Sequence, residues 1–512
     1  MKRKYFLLLS LPLLLASCSN NISSSSPSSS TSSALDSSSS RNNISSSTSE
    51  SEVKAEDIED TDSQYFEFKL LDNDTYKIES LATNDPPKRV GIPATYLNKS
   101  ITAIADGAFR SAGGVEIIRL SDSISALNSK AFIDCTTIKE VLVYKTNTHY
   151  QSLNGVLYSF NKSTLVYFPS AKEGEYSPID ECTVIASFAF QSSRKLTAFS
   201  SNKVVTIEGN ALNASKFTSR IASASLKTIG ESAFDTCTNL LTISLNEGLE
   251  EIGASAFTFC TSLKELVLPA SLKKLEPLAF FNCKKNTKIE FKGDLITSIP
   301  HDCFGYNGTG NTELKVTLPS KLESIGDDAF TGDQAMKNLT LPETLESIGS
   351  SAFYACKDLA SLVIPKNVST IGDMAFYGTI ALASLTVDSS NQYFEINNNS
   401  LTDIGNTKIL FVIYKRGEYQ VKEGVETLSR RCFGESIYVT GITLPVSIKH
   451  LYLPFYGCTS LTRLSYSGTV SQFETITNNS VFTDSSNETH NWNEGLSTIA
   501  YVQCSDGNFT IE

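Results

Sequence analysis

Apolar residues return along most of this chain in a fixed order: Leu, Ile, Ala-Phe, Cys, then Leu-x-x-Leu-x-Leu. The order is clearest in three successive stretches, LKTIGESAFDTCTNLLTISL from Leu226, LEEIGASAFTFCTSLKELVLP from Leu249 and LKKLEPLAFFNC from Leu272. With the Phe of Ala-Phe as marker, the unit recurs at Phe109, Phe132, Phe190, Leu212, Phe234, Phe257, Phe280, Phe304, Phe330, Phe353, Phe376, Phe433 and Phe455. Leu212 stands in for the phenylalanine and splits a gap of 44 residues into equal halves. Nine of the twelve intervals fall between 22 and 24 residues, which chance does not produce. Each unit predicts one coil with a short strand, its Leu, Ile, Ala-Phe and Cys side chains turned inward.

A period near 23 carrying Leu263, Leu266 and Leu268 is the leucine-rich-repeat signature. The predicted fold is therefore a leucine-rich-repeat solenoid, β-rich, with short parallel strands stacked at about 4.8 Å. No coil can bury its apolar face alone, so the array needs neighbours and capped ends. Thirteen coils at that spacing predict a body on the order of 60 Å long. Two intervals are long, 58 and 57 residues, and hold related segments from Asn147 and from Asn391. Both carry alternating strand patterns followed by Lys-x-Gly-Glu-Tyr, at Lys172 to Tyr176 and Lys415 to Tyr419, and they read as two inserted β-hairpins. The interval of 26 holds Gly305 to Gly310, a longer loop.

Before the repeats the chain changes character. Lys2-Arg3-Lys4 precedes a short Leu-rich run, Tyr5 to Leu15, too short to span a bilayer and laid out like a secretory signal. It ends in Leu15-Ala16-Ser17-Cys18, which resembles the bacterial lipobox. That resemblance implies cleavage after residue 17, lipidation of Cys18 and a membrane contact through the lipid anchor only. Removing Lys2, Arg3 and Lys4 shifts the net charge from −12 to −15. From Ser19 to Ser51 the chain is mostly serine, without enough apolar surface to order itself. The expected organisation is a signal over 1–17, a disordered stalk over 18–62, an N-terminal β cap over 63–93, the solenoid over 94–465 and a C-terminal cap over 466–512. Within the N-terminal cap, Tyr65 to Leu70 and Tyr76 to Ile78 flank Asp72-Asn73-Asp74 as a hairpin turn; Tyr76 stands where a calcium loop would need its third ligand.

The repeat resembles the BspA-type leucine-rich repeats of bacterial surface proteins. The motif Ile-Gly-x-x-Ala-Phe-x-x-Cys-x-x-Leu-x-x-Leu-x-Leu-Pro stands at Ile252-Gly253, Ala256-Phe257, Cys260, Leu263, Leu266 and Leu268-Pro269, and again from Ile348 to Pro365. The paired insertions and the tail, with Tyr466 to Thr469, Phe473, Ile476 and Tyr501 to Gly507, look like the family's too. The departures are Leu212 and the two cysteines, Cys303 and Cys432, that replace the motif alanine. The resemblance implies a cell-surface protein that attaches to host matrix proteins or to other cells.

Composition removes several alternatives. With 43 Lys+Arg against 55 Asp+Glu, the chain is unsuited to a phosphate backbone, so no nucleic acid is expected. Four histidines in 512 residues leave little for histidine catalysis. Ser271 to Lys274 and Ser192 to Lys195 spell S-x-x-K without its partner motifs, and Gly308-x-Gly310 lacks a third glycine. Leu341 to Thr344 resembles a sortase signal, yet Leu-Pro pairs recur at the same strand end in other coils. No enzyme, cofactor or metal is expected. Cys135, Cys237, Cys260, Cys283, Cys356 and Cys458 share one position, three residues after the marker. Side chains stacked at the strand spacing stand beyond the Cβ separation of a bridge, which predicts a buried, reduced ladder.

Two readings of function stay open. The first is adhesion or interaction with an extracellular protein. The second is a surface lipoprotein capturing polysaccharide or peptide. The outward strand positions (Lys264, Glu265, Val267; Lys337, Asn338, Thr340; Ala360, Ser361, Val363; Ala383, Ser384, Thr386) are small and mixed, and no aromatics line up on them. The insertions are richer in aromatics (Tyr150, Tyr158, Tyr167, Phe168 and Tyr176; Tyr393, Phe394, Phe411, Tyr414 and Tyr419), about half of these ten core by strand alternation, and Tyr150, Tyr158, Tyr176, Tyr393, Tyr414 and Tyr419 are the candidate ligand contacts.

Overall fold

The computed structural model describes residues 53–511, apart from Ser111, Ser192, 219–223, 310–312, 414–415, 484–487 and Ser497. Cys18, the signal, most of the expected stalk and Tyr414 lie outside the described residues.

Each coil contributes to two parallel ladders. The long ladder takes the Leu-x-Leu segment, as where Glu265–Leu268 pairs with Lys288–Phe291 and that with Lys315–Thr317. The short ladder takes two residues per coil, a polar one and the motif Ile: Glu251–Ile252 pairs with Lys274–Leu275, and Ser324–Ile325 with Ser347–Ile348. The glycine after that Ile answers to close stacking. A Cβ on Gly253 would stand 2.6 Å from the Glu231 amide, and one on Gly372 2.3 Å from that of Ser350.

The Ala-Phe turn makes a third set of bonds between coils. Phe234 N donates to Ala256 O at 2.8 Å, and Phe257 N to Ala279 O at 2.7 Å. Residues two before and two after the marker sit at positive φ, for example Ser232 at 54° and Thr236 at 57°. Such residues are held against their intrinsic preference by this stacking. Inside, Phe234, Phe257, Phe280, Phe304, Phe330, Phe353 and Phe376 form a column with ring centroids 4.9 to 5.9 Å apart. Each adjacent pair adds about 0.5–1.5 kcal/mol beyond its buried area.

The cysteine column has a role that composition did not reveal. Cys237 Sγ donates to Leu212 O at 3.2 Å, Cys260 to Phe234 O at 3.2 Å and Cys356 to Phe330 O at 3.1 Å. Ser215, at the same position, donates to Phe190 O at 2.8 Å. The column thus supplies small donors for the marker carbonyl of the preceding coil. Cys237, Cys260, Cys283, Cys356 and Cys458 are free of disulfides and buried. Burial pushes the thiols up, to about 12 for Cys237 and Cys458, which keeps them protonated as donors.

The solenoid has about 16 turns, more than the thirteen expected. Leu81 N donates to Ala108 O, Phe168 N to Ala189 O and Val412 N to Cys432 O, which is the marker's bond, so these three mark the missing coils. The insertions are therefore not simple hairpins. In the first, Tyr150–Leu153, Val156–Ser159 and Thr164–Tyr167 run antiparallel, and the third strand then pairs parallel with Val184–Ile185 in the short ladder. Gly174–Tyr176 returns to the long ladder beside Leu196–Phe199. The second insertion repeats this with Phe394–Asn397, Ser400–Asp403 and Lys408–Val412, then Thr427–Leu428. Each hangs from a buried asparagine with all its bonds satisfied. Asn147 Nδ2 donates to Ser121 O and Ile124 O, both at 2.9 Å, and Asn391 Nδ2 to Pro365 O and Val368 O at 2.8 and 3.0 Å.

The ends are capped as expected in kind. Phe66–Leu70 and Tyr76–Leu81 form the predicted hairpin, although Tyr76–Leu81 already pairs parallel with Lys99–Ile104. At the other end the helix Val470–Asn478, opened by a Thr469/Gln472 capping box, buries Phe473 and Ile476. The hairpin of Tyr501–Cys504 and Gly507–Thr510 closes the long ladder.

Candidate functional site

Tyr158 and Tyr419 are buried in the core, which corrects their assignment as ligand contacts. Tyr158 Oη lies 2.6 Å from Tyr176 Oη, and Tyr176 packs on Phe168 with centroids 4.6 Å apart. Tyr419 bonds Ser400 Oγ and donates to Asn398 O at 3.0 Å. Burial pushes both Tyr158 and Tyr419 to about 12. Tyr150 Oη accepts from Leu127 N at 2.9 Å and donates to Leu127 O at 3.0 Å, latching the insertion to the coil before it. Among the described candidates only Tyr393 is exposed, at half its surface.

The physical reason is a partition. Along the inserted strands Leu157, Val166 and Tyr167 belong to one core cluster, while Val156, Tyr158, Leu165 and Phe168 belong to the next. The second insertion divides Leu401 and Phe411 from Ile409 and Val412 in the same way. Alternation predicts one buried face and one wet face; here both faces are core.

The outward face of the long ladder is the second candidate, and it differs along its length. At its start, residues 53–62, expected in the stalk, lie across the strands Ile117–Leu120 and Glu140–Val143, so that boundary is corrected. Ala55 and Ile58 form a buried cluster with Leu142, flanked by Val53, Ile117 and Tyr144. Arg119, fully buried, fastens the segment: Nη1 donates to Ile92 O at 2.6 Å, Nη2 to Ile58 O at 3.1 Å and to Asp60 Oδ1 at 2.5 Å. Its guanidinium lies 4.5 Å from the Tyr144 ring centroid. A Cβ on Gly91 would stand 2.0 Å from Glu59 O, so glycine admits the strap. An Asp/Glu-rich stretch reads as solvated tail by composition; the apolar spacing of Val53, Ala55 and Ile58 was the signal available.

Further along, the face is open. Lys288 and Glu290 pair at 2.7 Å, and Lys292 joins Glu290 at 2.6 Å. Then come Ser361, Val363, Ser384 and Thr386, uncharged and exposed, with Val363 at 57%. Nearer the first insertion a cleft of about 440 Å³ is lined by Arg194, Lys195, Lys216, Thr197, Thr218 and Glu173, the last ion-paired with Lys195.

A third surface runs along the Ala-Phe turns. The residues just after the marker carry aromatics from coil to coil: Phe259, Phe281 and Tyr306, then Tyr354 and Tyr456, with Tyr377 in the same row but buried. Phe259 and Phe281 lie 6.1 Å apart, Phe281 and Tyr306 5.5 Å, Tyr354 and Tyr377 5.0 Å. Aromatics do line up on this molecule, on the turns and not on the strands where the sequence was searched for them. The signal was in the repeat alignment, one and two residues past the marker.

Chemistry is sparse elsewhere. His301 Nδ1 and Asp302 Oδ2 stand 3.1 Å apart, and His490 Nδ1 and Glu494 Oε2 2.9 Å. Among the described residues no group of three or more His, Cys, Asp or Glu could hold a metal ion. None of their helices is long and apolar enough to cross a membrane.

The family model for the BspA type leucine rich repeat region (6 copies) matches residues 91–173, 167–287, 297–419 and 415–506. Among solved structures, the chain is similar to a leucine rich cell surface protein from Faecalibacterium prausnitzii, with 19% identity, 81% of this chain and 96% of that one covered, and a TM-score of 0.39. A leucine-rich repeat protein from Bacteroides ovatus shows 18% identity over 80% and 88% of the two chains at a TM-score of 0.41. The pneumococcal vaccine antigen PcpA shows 22% identity over 59% and 68% at 0.31. No curated protein matches the sequence. The family match spans most of the length and carries the repeat already traced in the coils: the chain belongs to the BspA-type leucine-rich repeat family.

Proposed function

We propose that this chain is a cell-surface, non-catalytic binding scaffold that is lipidated at Cys18, held off the membrane by the serine-rich stalk, and engages an extracellular protein for adhesion. The observation that carries the reading is the long-ladder face. At one end it already accepts a segment of the chain, residues 53–62 with a 3-10 turn over Ala55–Asp57, through Ala55, Ile58 and the Arg119 bonds to Ile58 O. Across Ser361, Val363, Ser384 and Thr386 the same kind of face is open and uncharged. Solenoids bind partners on such extended surfaces, and matrix or cell-surface proteins of a host or neighbouring cell are the class of ligand that suits an exported chain. Polysaccharide capture through the insertions is the weaker reading, because Tyr158 and Tyr419 are interior residues.

The test immobilises the chain from residue 19 onward and screens matrix proteins and glycans together. Saturable protein binding that is lost in Val363→Glu, with the fold intact by circular dichroism, is the expected result. Protein binding that survives Val363→Glu and Ser384→Glu together would move the site away from this face. Glycan binding without protein binding would overturn the adhesion reading.

A further inference from the structure

The aromatic turns carry an inference separate from the strand face. Phe259 and Tyr306 are 41% and 42% exposed, and both sit at positive φ, 57° and 59°. Glycine holds the corresponding place in other coils, at Gly332, Gly378 and Gly457. A bulky side chain in that conformation is disfavoured, and each of these leaves about two-fifths of its surface exposed. What such rings can accept is shown further along the same edge. The guanidinium of Arg431 covers the buried Tyr377, 5.4 Å from its centroid, and lies 4.2 Å from the centroid of the exposed Tyr456, both one residue past their markers.

Upstream, the edge has rings and carboxylates, and among the described residues no arginine stacks on those rings. Asp302 and Asp328 are two residues before their markers, and Asp327 is next to them. His301 faces Asp302 at 3.1 Å, and among the described residues no lysine or arginine ion-pairs with the three aspartates. The field is felt locally. Burial, then Asp302 and Asp327, push Asp328 up to about 6, and Asp328 and Asp302 help burial to raise the Tyr306 phenol.

We propose that the open part of this edge, from Phe259 to Tyr354, docks an arginine-bearing segment of a partner protein, its guanidinium groups lying on the rings and facing Asp302, Asp327 and Asp328. Arginine suits both halves of the site, since it stacks on aromatic faces and pairs with carboxylates. A neutral glycan would use the rings and ignore the charge.

The probe is a short labelled peptide of alternating Gly, Arg and Ser, with Lys and Glu versions, followed by fluorescence anisotropy on the chain from residue 19 onward; a neutral glucan serves as competitor. Saturable binding of the Arg peptide, weaker for Lys and absent for Glu, is expected. The double variant Phe259→Gly/Tyr306→Gly weakens it about tenfold. Glycine is favoured at those φ values, so a folding defect does not confound the loss. Asp302→Asn/Asp327→Asn flattens the salt dependence, while Val363→Glu on the strand face leaves the affinity unchanged. Equal binding of the Glu peptide, an unchanged affinity in the glycine variant, or displacement by the glucan would each overturn the proposal.

Discussion

Arg119 offers the sharpest test of how the long-ladder face is covered. Arg119→Met keeps a long apolar stem beside Tyr144 but removes the bonds to Ile58 O, Ile92 O and Asp60. Hydrogen bonds from a charged donor contribute about 1.5–3 kcal/mol each. Asp60 is exposed enough to return to water, so its share is small. Burial of the methionine stem restores part of the packing. We therefore expect the strap to lose about 3 kcal/mol, a hundredfold or more in its opening constant.

The loss is local, because the strap joins the body through its own small cluster and not through the main cores. Hydrogen exchange reads it directly. Thr61 N donates to Gly91 O at 2.9 Å and Gly91 N to Thr61 Oγ1 at 2.9 Å, so both amides should lose protection in the variant. Phe257 and Phe330 amides, deep in the coil stack, should not change. Retained protection at Thr61 would mean that Ala55 and Ile58 hold the strap without Arg119. Lost protection throughout the first coils would mean that the strap is part of the N-terminal cap and not a cover laid on it.

Asp333 is buried at the column position that holds the donors Cys237, Cys260 and Cys356 in other coils, with Oδ1 accepting from Asn307 N at 2.6 Å and Oδ2 without a partner. Burial pushes its carboxyl well above the usual range, so stability declines as pH rises from about 4, the unfolded value, through the folded one; Asp333→Asn should gain about 1–3 kcal/mol at pH 7 and nothing at pH 3, read as a thermal midpoint. The thiols of Cys237, Cys260, Cys283 and Cys356 should resist iodoacetamide until the chain is denatured, and rapid native alkylation would contradict their burial. Phe304→Ala removes a ring from the middle of the stack and should cost about 3–5 kcal/mol, with a broadened melt as the coils on either side uncouple. Labelling with palmitate should mark the full chain in its bacterial host and fail in Cys18→Ser; label in the variant would refute the anchor.

Most of the fold was legible because a solenoid repeats its information. The Ile-Gly, Ala-Phe, Cys and Leu positions are each dictated by the same neighbour in every coil, so a period of 23 exposes them together. What stayed hidden lay where the period breaks. Val412 marks a coil without the Ala-Phe signature, and Phe168 does so behind Tyr167 in place of alanine, so only their backbone bonds to Cys432 and Ala189 reveal them. Tyr158 and Tyr419 were misplaced for a related reason. Alternation assigns one face of a strand to water only when the sheet has a wet side, and the insertions have core on both sides.

The three surfaces also follow from the repeat. A residue inside the coil is constrained by the coils on both sides, but outward strand positions and the turns past the marker meet only their own column. Selection can therefore vary a column without disturbing the stack. Phe259 and Tyr306 stand at positive φ in the place where Gly332 and Gly378 carry no side chain at all. The strap shows the converse. Arg119 occupies an outward strand position that in later coils is Val363 or Thr386, and it is buried only because residues 53–62 cover it. Coverage by the chain itself thus accounts for a buried arginine at one end of the ladder. The exposed Val363 further along is what the same face looks like before anything is laid upon it.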